Sequence, residues 1–584
     1  MKPIIYFFTI LCIQMLSGVS ANAVTYHVSP SGSDDNPGTE ARPFQTLDYS
    51  TSVLRSGDTL YMMNGNYDVG TGAMNIHASG TADNWVKIHN FPGHTPRIIG
   101  KGWNVVRVAG DRDNPPAPSS YVEVRGLTIV CDDDAEDFNI FCNGFEFGYG
   151  SHDIRIIGNT VLNAPRSAIG MIEVDRFHVE GNWVRNSAWG WLASNPDVSY
   201  GTSAISVYKP RLHSASDDYG FVIRNNVADY NYNSQPFFGT GTLSDGNCII
   251  LDDFDSASTG PYRGNVLIEN NVCFNNGGRA VHIFDTSNHN EITIRNNTGY
   301  FNGFNSDTEG EIVMHATANN VEIYNNIMYA REGKAATDGW ADSGINWHHN
   351  LIYGTDIIRR PGDNDIVGQD PLFQNAAITA EEADFSLLDT SPAIGAGVNC
   401  PETDIMGQVR TSCDIGAFAK DSRAPVQLAG AGSRFAVGFN PTPRPKIITN
   451  VAAPSETPQP VVQPQREVVE IDGWHGTGSE GVRMFFNWGV AWFNPGKWVS
   501  YDTARWRGAN SISLSYASVA DAVVEVRANH PQGDVVATLN LPSNNSWNSF
   551  QQSESFDLGN LDNVNVVYLF MKTSSVNYSK IHLQ

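Results

Sequence analysis

Seven short phrases of one design, GNTV, GNWV, NNVA, NNVC, NNTG, NNIM and HNLI, recur through the middle of this chain and constrain its fold more than any other feature. Their shared asparagine stands at Asn159, Asn182, Asn226, Asn271, Asn297, Asn326 and Asn350, at separations of 23, 44, 45, 26, 29 and 24 residues. A period of roughly 24 residues, with an apolar residue two or three positions either side, marks a β-solenoid, in which each coil buries its apolar face only by stacking on the next. Asparagine suits the tight turn of such a coil because it tolerates left-handed backbone. These residues are expected to be ladder residues inside the coil, not ligands. Two successive coils are clearest between Asp245 and Asn297, where IENNVCFNN and IRNNTGYFN repeat one phrase 26 residues apart.

The two long separations each hold roughly 20 residues beyond one coil. The surplus is WGWLASNPDVSYGT and PRLHSASDDYG around the strand SAISVYK, then YNSQPFFGTGTLSD ahead of CIIL. Solenoid insertions map to loops, and successive ones at one position build walls on one face. Rich in Trp, Tyr, Phe and His, these loops suit stacking on sugar rings, although packing against the solenoid flank explains any single aromatic equally well. Along a strand, side chains alternate in and out. Placing Ile205 and Val207, Cys248 and Ile250, Val281 and Ile283, and Ile312 and Met314 inward turns Ser206, Tyr208, His282, Phe284, Val313 and His315 outward. Neighbouring coils lie about 4.8 Å apart, so the strand ends stack Lys209, Asp252 with Asp253, and Asp285 near one another. Asp245 and Arg279 flank this row. So many ionisable groups on one strip of parallel sheet mark a candidate groove, with a solvated turn as the plainer reading of any one aspartate.

At 584 residues the chain is too long for one ordinary core, which calls for several domains or a repeat. Asp plus Glu number 62 against 37 Lys plus Arg, a net charge of −25. This balance argues against nucleic acid or an anionic membrane surface as partner. It leaves room for an acidic polysaccharide held by a few local cations. Residues 1–23 combine Lys2, an apolar run from Ile4 to Leu16 and the small-residue end Ala21-Asn22-Ala23, the pattern of a secretory signal peptide. No later run approaches the roughly 18 apolar residues that span a bilayer as a helix, so a secreted, monomeric protein is expected. Of the seven cysteines, Cys12 leaves with the signal, and the remaining six suit an oxidising compartment. Cys131 with Cys142 and Cys400 with Cys413 are close enough in sequence to pair across loops. Cys248 and Cys273, both in apolar stretches, are expected as free buried thiols in preference to a bridge. The absence of CxxC speaks against thiolate zinc.

Following the signal, VTYHVSPSGSDDNPGTEARPFQTLDYSTSVLRSGDTLYMMNGNY resembles the start of many secreted right-handed parallel β-helix proteins, including polysaccharide lyases, which share GSD, NPGT, PF and GDT-Y-G in this order. Residues 366–420, with DPLF, DFSLLDTSPAIGAG and CDIGAF, resemble the exit of the same proteins. This resemblance, to the pectate lyase-like superfamily, implies a catalytic β-helix over residues 24–420. Residues 421–466 include FNPTPRPKIITNVAAPSETPQPVVQPQ, a Pro-rich extended linker. Residues 467–584 alternate short apolar runs with turn signals, as a β-sandwich does. Within them GKWVSYDTARWRGANSISLSYAS and VEVRANHPQGDVVATLNLPSNNSWNSFQ resemble family 6 carbohydrate-binding modules. That resemblance implies sugar contacts from Trp492, Trp547 and Asn577, while VNYSKIHL lacks the family's usual Asn-Trp pair. The fold class expected is all-β: a right-handed parallel β-helix, or β-solenoid, followed by a β-sandwich domain.

Two chemistries fit the ionisable strip. On a uronic-acid polysaccharide, β-elimination needs a cation to neutralise the C6 carboxylate, a base for the C5 proton and an acid for the leaving oxygen. Calcium on Asp245, Asp252 and Asp253 is the candidate cofactor, a hard cation on oxygen ligands, with Arg279 assisting. Lys209 or His282 is the candidate base, Lys209 on condition that burial or neighbours bring its pKa down. Tyr208, Phe284 and His315 are placed to touch the sugar. On a neutral glycan, Asp245 and the pair Asp252 and Asp253 would instead be acid and base of a glycoside hydrolase. The order of strand, loop and acidic pair resembles family 9 pectate lyases, which combine a parallel β-helix with calcium aspartates and a lysine base. In this chain GGRAVHIF puts Arg279 and His282 where that family's acidic cluster would fall. The adjacent aspartates also resemble those of β-helical polygalacturonases, without the Gly-His-Gly or Arg-Ile-Lys partners. A secreted lyase on a uronic-acid polysaccharide is the expectation, ahead of a β-helical hydrolase and a non-enzymatic polysaccharide-binding surface protein.

Overall fold

The repeated asparagines form one buried ladder along the coil axis. Oδ1 of Asn182 accepts from both the backbone N and Nδ2 of Asn159, at 2.9 and 3.2 Å. The same double bond joins Asn182 to Asn226, Asn226 to Asn271, Asn271 to Asn297, Asn297 to Asn326 and Asn326 to Asn350. Each Nδ2 also reaches a carbonyl of an adjoining coil, as from Asn226 to Val179 O at 2.9 Å. A buried amide is stable only when its donors and acceptor are all used, and the coil period arranges this at every turn. Asp365 ends the row by accepting from Asn350 N at 2.8 Å. A second ladder runs through Ser187, Asn231, Asn276 and Asn302 and ends on Glu311, which accepts from Asn302 N at 3.1 Å. Burial pushes the Glu311 carboxyl up to about 7.

This computed structural model describes residues 23–422 except 109–117, 133–140, 193, 214–217, 257, 288–290, 306–307, 318–319, 340–343 and 381; residues 447–448; and residues 469–583 except 473–477, 481–482, 486–488, 503–505, 507–508, 510, 547–549, 560, 562–563 and 565. Nearly all of the expected signal peptide and Pro-rich linker therefore lies outside the described residues. The described coils build three parallel sheets of 11, 9 and 11 strands around one apolar core. Winding starts well before the asparagine phrases, since Thr25–Val28 already pairs in parallel with Thr59–Met62 and that strand with Val86–Asn90. A short helix, Leu47–Ser52, is capped by Thr46, whose Oγ1 accepts from Tyr49 N at 3.3 Å, and buries Leu47 in the same core.

After Ile366–Val367 joins one 11-stranded sheet, the chain folds back over that sheet's outer face. Phe373, Phe385, Ile405 and Phe418 cover outward-facing Val227, Val272, Ile327 and Leu351, apolar residues that would otherwise face water. Residues 469–583 form two antiparallel sheets with their own core, including Val499, Leu514, Val526 and Leu569. The fold is thus all-β, a parallel β-helix and a β-sandwich.

Cys131 pairs with Cys142 and Cys400 with Cys413, as expected. Cys248 and Cys273 are also bridged, with Cα atoms 5.8 Å apart, which corrects the expectation of free thiols. Their separation of 25 residues is one coil, so they meet across its interior, each 1% exposed. Apolar neighbours report burial but not what lies across the coil.

Candidate active site on the nine-stranded sheet

Register on the nine-stranded sheet fixes which side chains leave the core. Ile205, Ile249, Val281 and Ile312 form one inward row, and Val207, Leu251, Ile283 and Met314 the next. The inward pair on the strand Ile249–Asp252 is therefore Ile249 and Leu251, one residue on from the Cys248 and Ile250 expected. CIIL is apolar at both parities, so alternation carries no information there. Outward rows are Ser206, Ile250, His282, Val313 and Asp338, then Tyr208, Asp252, Phe284 and His315.

Three of these outward residues form a chain. Nε2 of His282 lies 3.2 Å from Nδ1 of His315, and Nε2 of His315 lies 3.9 Å from Oδ2 of Asp338. Asp338 in turn meets Arg359 Nη1 at 3.1 Å. Burial, then Arg279 and His315, holds His282 well below the ordinary histidine range. Burial and Arg279 push His315 down to about 4. Both rings are neutral near pH 7. If His315 carries its proton on Nε2, facing Asp338, its Nδ1 accepts from His282 Nε2–H. That tautomer leaves a lone pair on His282 Nδ1, which is buried with no hydrogen-bond partner among the described residues.

Arg279 sits two residues before the strand Val281–Ser287 and is 6% exposed. Its Nη1 donates to Ser244 O at 2.6 Å, while its Nε is buried without a partner among the described residues. Burial lowers its pKa, opposed by Asp245 and Asp338, yet a guanidinium remains a cation. Asp245 Oδ2 accepts from Ser244 Oγ at 2.8 Å and Oδ1 from Asn247 Nδ2 at 3.1 Å. Burial pushes the Asp245 carboxyl up, against Ser244, Arg279 and Asn247.

Other expected residues are placed differently. Lys209 Nζ lies 3.4 Å from Asp253 Oδ2 and 4.9 Å from the ring centroid of half-exposed Tyr208. Hydrogen bonding to Tyr208 raises the lysine pKa, so the condition for Lys209 as base is not met and Asp253 serves as its counter-ion. Asp245 and Asp252 lie at opposite ends of the strand Ile249–Asp252, one beside Arg279, the other level with Tyr208 and Phe284. Calcium holds its oxygens at about 2.3–2.6 Å, so Asp245, Asp252 and Asp253 do not fit one ion. Among the described residues no group of three or more His, Cys, Asp or Glu is placed to hold a metal. Phe284 has its ring 5.7 Å from that of His282 and 6.4 Å from that of His315. The side chains of Asp285 and Trp492, and all of Trp547, lie outside the described residues. Asn577, on the strand Val576–Leu583, is 6% exposed. Asp338 is not singled out by the sequence, because TDGW carries no asparagine phrase; counting one coil on from Val313 finds it.

Two of the three aromatic insertions meet. Ser199 N donates to Pro236 O at 2.7 Å and Phe238 N to Ser199 O at 3.0 Å, which ties the two loops together beside the sheet.

Residues 483–583 match the family of carbohydrate binding modules (family 6). Together with the β-helix, this defines a carbohydrate-active protein. Endo-1,4-beta-xylanase A of Thermoclostridium stercorarium is 25% identical over 120 residues, 20% of this chain and 21% of that protein. The uncharacterized protein YwoF of Bacillus subtilis (strain 168) is 25% identical over 201 residues, 28% of this chain and 41% of its own. The chain thus spans less than half the length of these relatives. Among solved structures, a rhamnogalacturonan lyase is similar at 14% identity and a TM-score of 0.38, covering 61% of this chain and 91% of its own. Pectate lyase Pel9A is similar at 15% identity and a TM-score of 0.37, covering 69% and 97%. A family 6 module from Clostridium stercorarium in complex with cellobiose is similar at 20% identity and a TM-score of 0.18, covering 20% and 92%.

Proposed function

We propose that the protein is a secreted, monomeric polysaccharide lyase that cleaves a uronic-acid-containing chain by β-elimination. The observation that carries this reading is the unpartnered Nδ1 of His282 beside the incompletely bonded guanidinium of Arg279. Arg279 takes the sugar carboxylate, which neutralises its charge and acidifies the C5 proton. His282 Nδ1 accepts that proton. The electron pair left at C5 forms the C4=C5 bond as the C4–O4 bond breaks, and O4 leaves with a proton. Asp245, its carboxyl held protonated longer than usual by burial, is the nearby donor. The imidazolium formed on His282 is stabilised through His315 toward Asp338. A carboxylate on Arg279 also cancels the positive field that weakens His282, so the base strengthens when substrate binds. The sandwich holds the chain on its polymer and raises the local substrate concentration.

The raised pKa of Asp245 also suits the general acid of a glycoside hydrolase, with Asp338, which also acts on Arg279, as second carboxylate. Incubation with uronic-acid polysaccharides separates the readings. Ultraviolet absorbance of unsaturated ends supports the lyase, and new reducing ends without that absorbance support the hydrolase. Neither signal, with glycan binding retained, favours a binding protein.

A further inference from the structure

The groove does not end at Arg279. Arg166 stands three residues before the strand Ile169–Ile172, three strands from Val281–Ser287 in the same sheet, and Arg279 stands two residues before its own. Three strand spacings separate the two guanidinium-bearing positions by roughly 14 Å along the axis. Arg166 has no side-chain hydrogen bond to any described residue, and its Nε is buried without a partner among them. Glu146, the carboxylate that acts on it, lies 3.9 Å from Arg107 Nε. An incompletely bonded, partly buried guanidinium is costly unless a ligand completes it.

The surroundings of Arg166 are those of a sugar site. Its Cζ lies 4.7 Å from the ring centroid of Tyr200, which is 38% exposed. The Tyr200 ring is 6.1 Å from Phe238 and 5.9 Å from Phe141, which stacks on exposed Trp103 at 4.8 Å. These rings come from loops of different coils that converge on one rim of the nine-stranded sheet. The rim is continuous with the candidate active site, because a Cβ on Gly201, next to Tyr200, would stand 2.7 Å from Asp245 Oδ2.

Two small residues lie in the outward row between the two cations. The outward row from the Arg166 strand to the Arg279 strand reads Gly170, Ser206, Ile250, His282. A Cβ on Gly170 would stand 3.5 Å from Phe145 O and Ser167 Cβ and 4.0 Å from Ser167 Oγ, ordinary contact distances, so the backbone does not require glycine there. Glycine there adds no side chain to the outward face of the sheet.

We propose that Arg166 and Tyr200 form a second acidic-sugar subsite, which binds the carboxylate of a uronic acid a few units along the chain from the one at Arg279. Arg166 supplies the charge and Tyr200 the stacking face, and the Gly170–Ser206 floor lets the polymer lie across the strands between them. This rests on the lyase reading for its substrate class, and it is tested by binding as well as by turnover.

Affinity electrophoresis of the full chain through gels containing polyuronate needs no cleavage. Arg166→Gln should weaken retardation about tenfold, the worth of a lost hydrogen-bonded charge contact, and Gly170→Leu should do the same by filling the floor. In gels of the carboxyl-reduced polymer the wild type and Arg166→Gln should migrate alike. If uronan cleavage is observed, the loss should appear in KM on long chains and far less on oligosaccharides too short to reach both cations. Unchanged retardation of both variants, with unchanged melting temperature, overturns the subsite whatever the activity. Equal losses on polyuronate and on the reduced polymer also overturn it, since they mean a structural role. Wild-type retardation without unsaturated product contradicts the lyase reading and leaves the subsite standing.

Discussion

His282 and His315 sit on neighbouring strands with Nε2 of the first 3.2 Å from Nδ1 of the second, and Arg279 depresses the pKa of both. In the proposed lyase the neutral form of His282 is the base, so activity is expected above its folded pKa and lost as pH falls through it. Arg279→Gln removes a cation and should move the acidic limb of the kcat/KM profile to higher pH. The same change removes the carboxylate partner and should lower kcat/KM roughly 10²–10³-fold. A pH–rate profile of the variant checks both, and an acidic limb that stays or moves down contradicts the assignment.

Glu311 predicts a pH effect on stability of opposite origin. Its carboxyl is raised from 4.5 to about 7 by burial at the end of the second ladder. A raised folded pKa contributes stability below the unfolded value and loses it as pH rises through the folded one, here on the order of 3 kcal/mol by pH 8. Glu311→Gln keeps an oxygen for Asn302 and cannot ionise. Thermal melting should show the wild type losing stability from pH 5 to 8 relative to this variant; parallel curves would contradict the assignment.

The Cys248–Cys273 bridge closes a loop of one coil. Replacing both residues with alanine should cost about 3 kcal/mol, measured by denaturant unfolding. Mass spectrometry of unreduced peptides should find the two linked, and alkylation of either without reductant would contradict the bridge.

The solenoid was legible because the ladder needs an amide once per coil, and a need that recurs in space recurs in sequence. The second ladder leaves a weaker mark, since Asn276 and Asn302 recur in FNN and YFN while Asn231 stands in DYN and the row starts at Ser187. Arg279 and His282 are visible in the sequence as polar residues at and just before the apolar start of a strand. Asp338 and Arg166 were not, since the axial stacking that brings them to the groove leaves no mark on their own neighbours. The calcium set failed for a related reason: Asp245 and Asp252 are close in sequence, but extended chain carries them apart at roughly 3.3 Å per residue. Sequence proximity stands for spatial proximity in a turn, not along a strand.

In the proposed reaction His282 removes a proton from a uronic acid held at Arg279. The most direct test is the rate of unsaturated-product absorbance from a uronic-acid polysaccharide, compared between the wild type and His282→Ala at equal folded concentration. Absorbance is expected with the wild type, and a loss of roughly 10²-fold or more in the variant. Undiminished absorbance in His282→Ala, or chain cleavage by the wild type without absorbance, would contradict it.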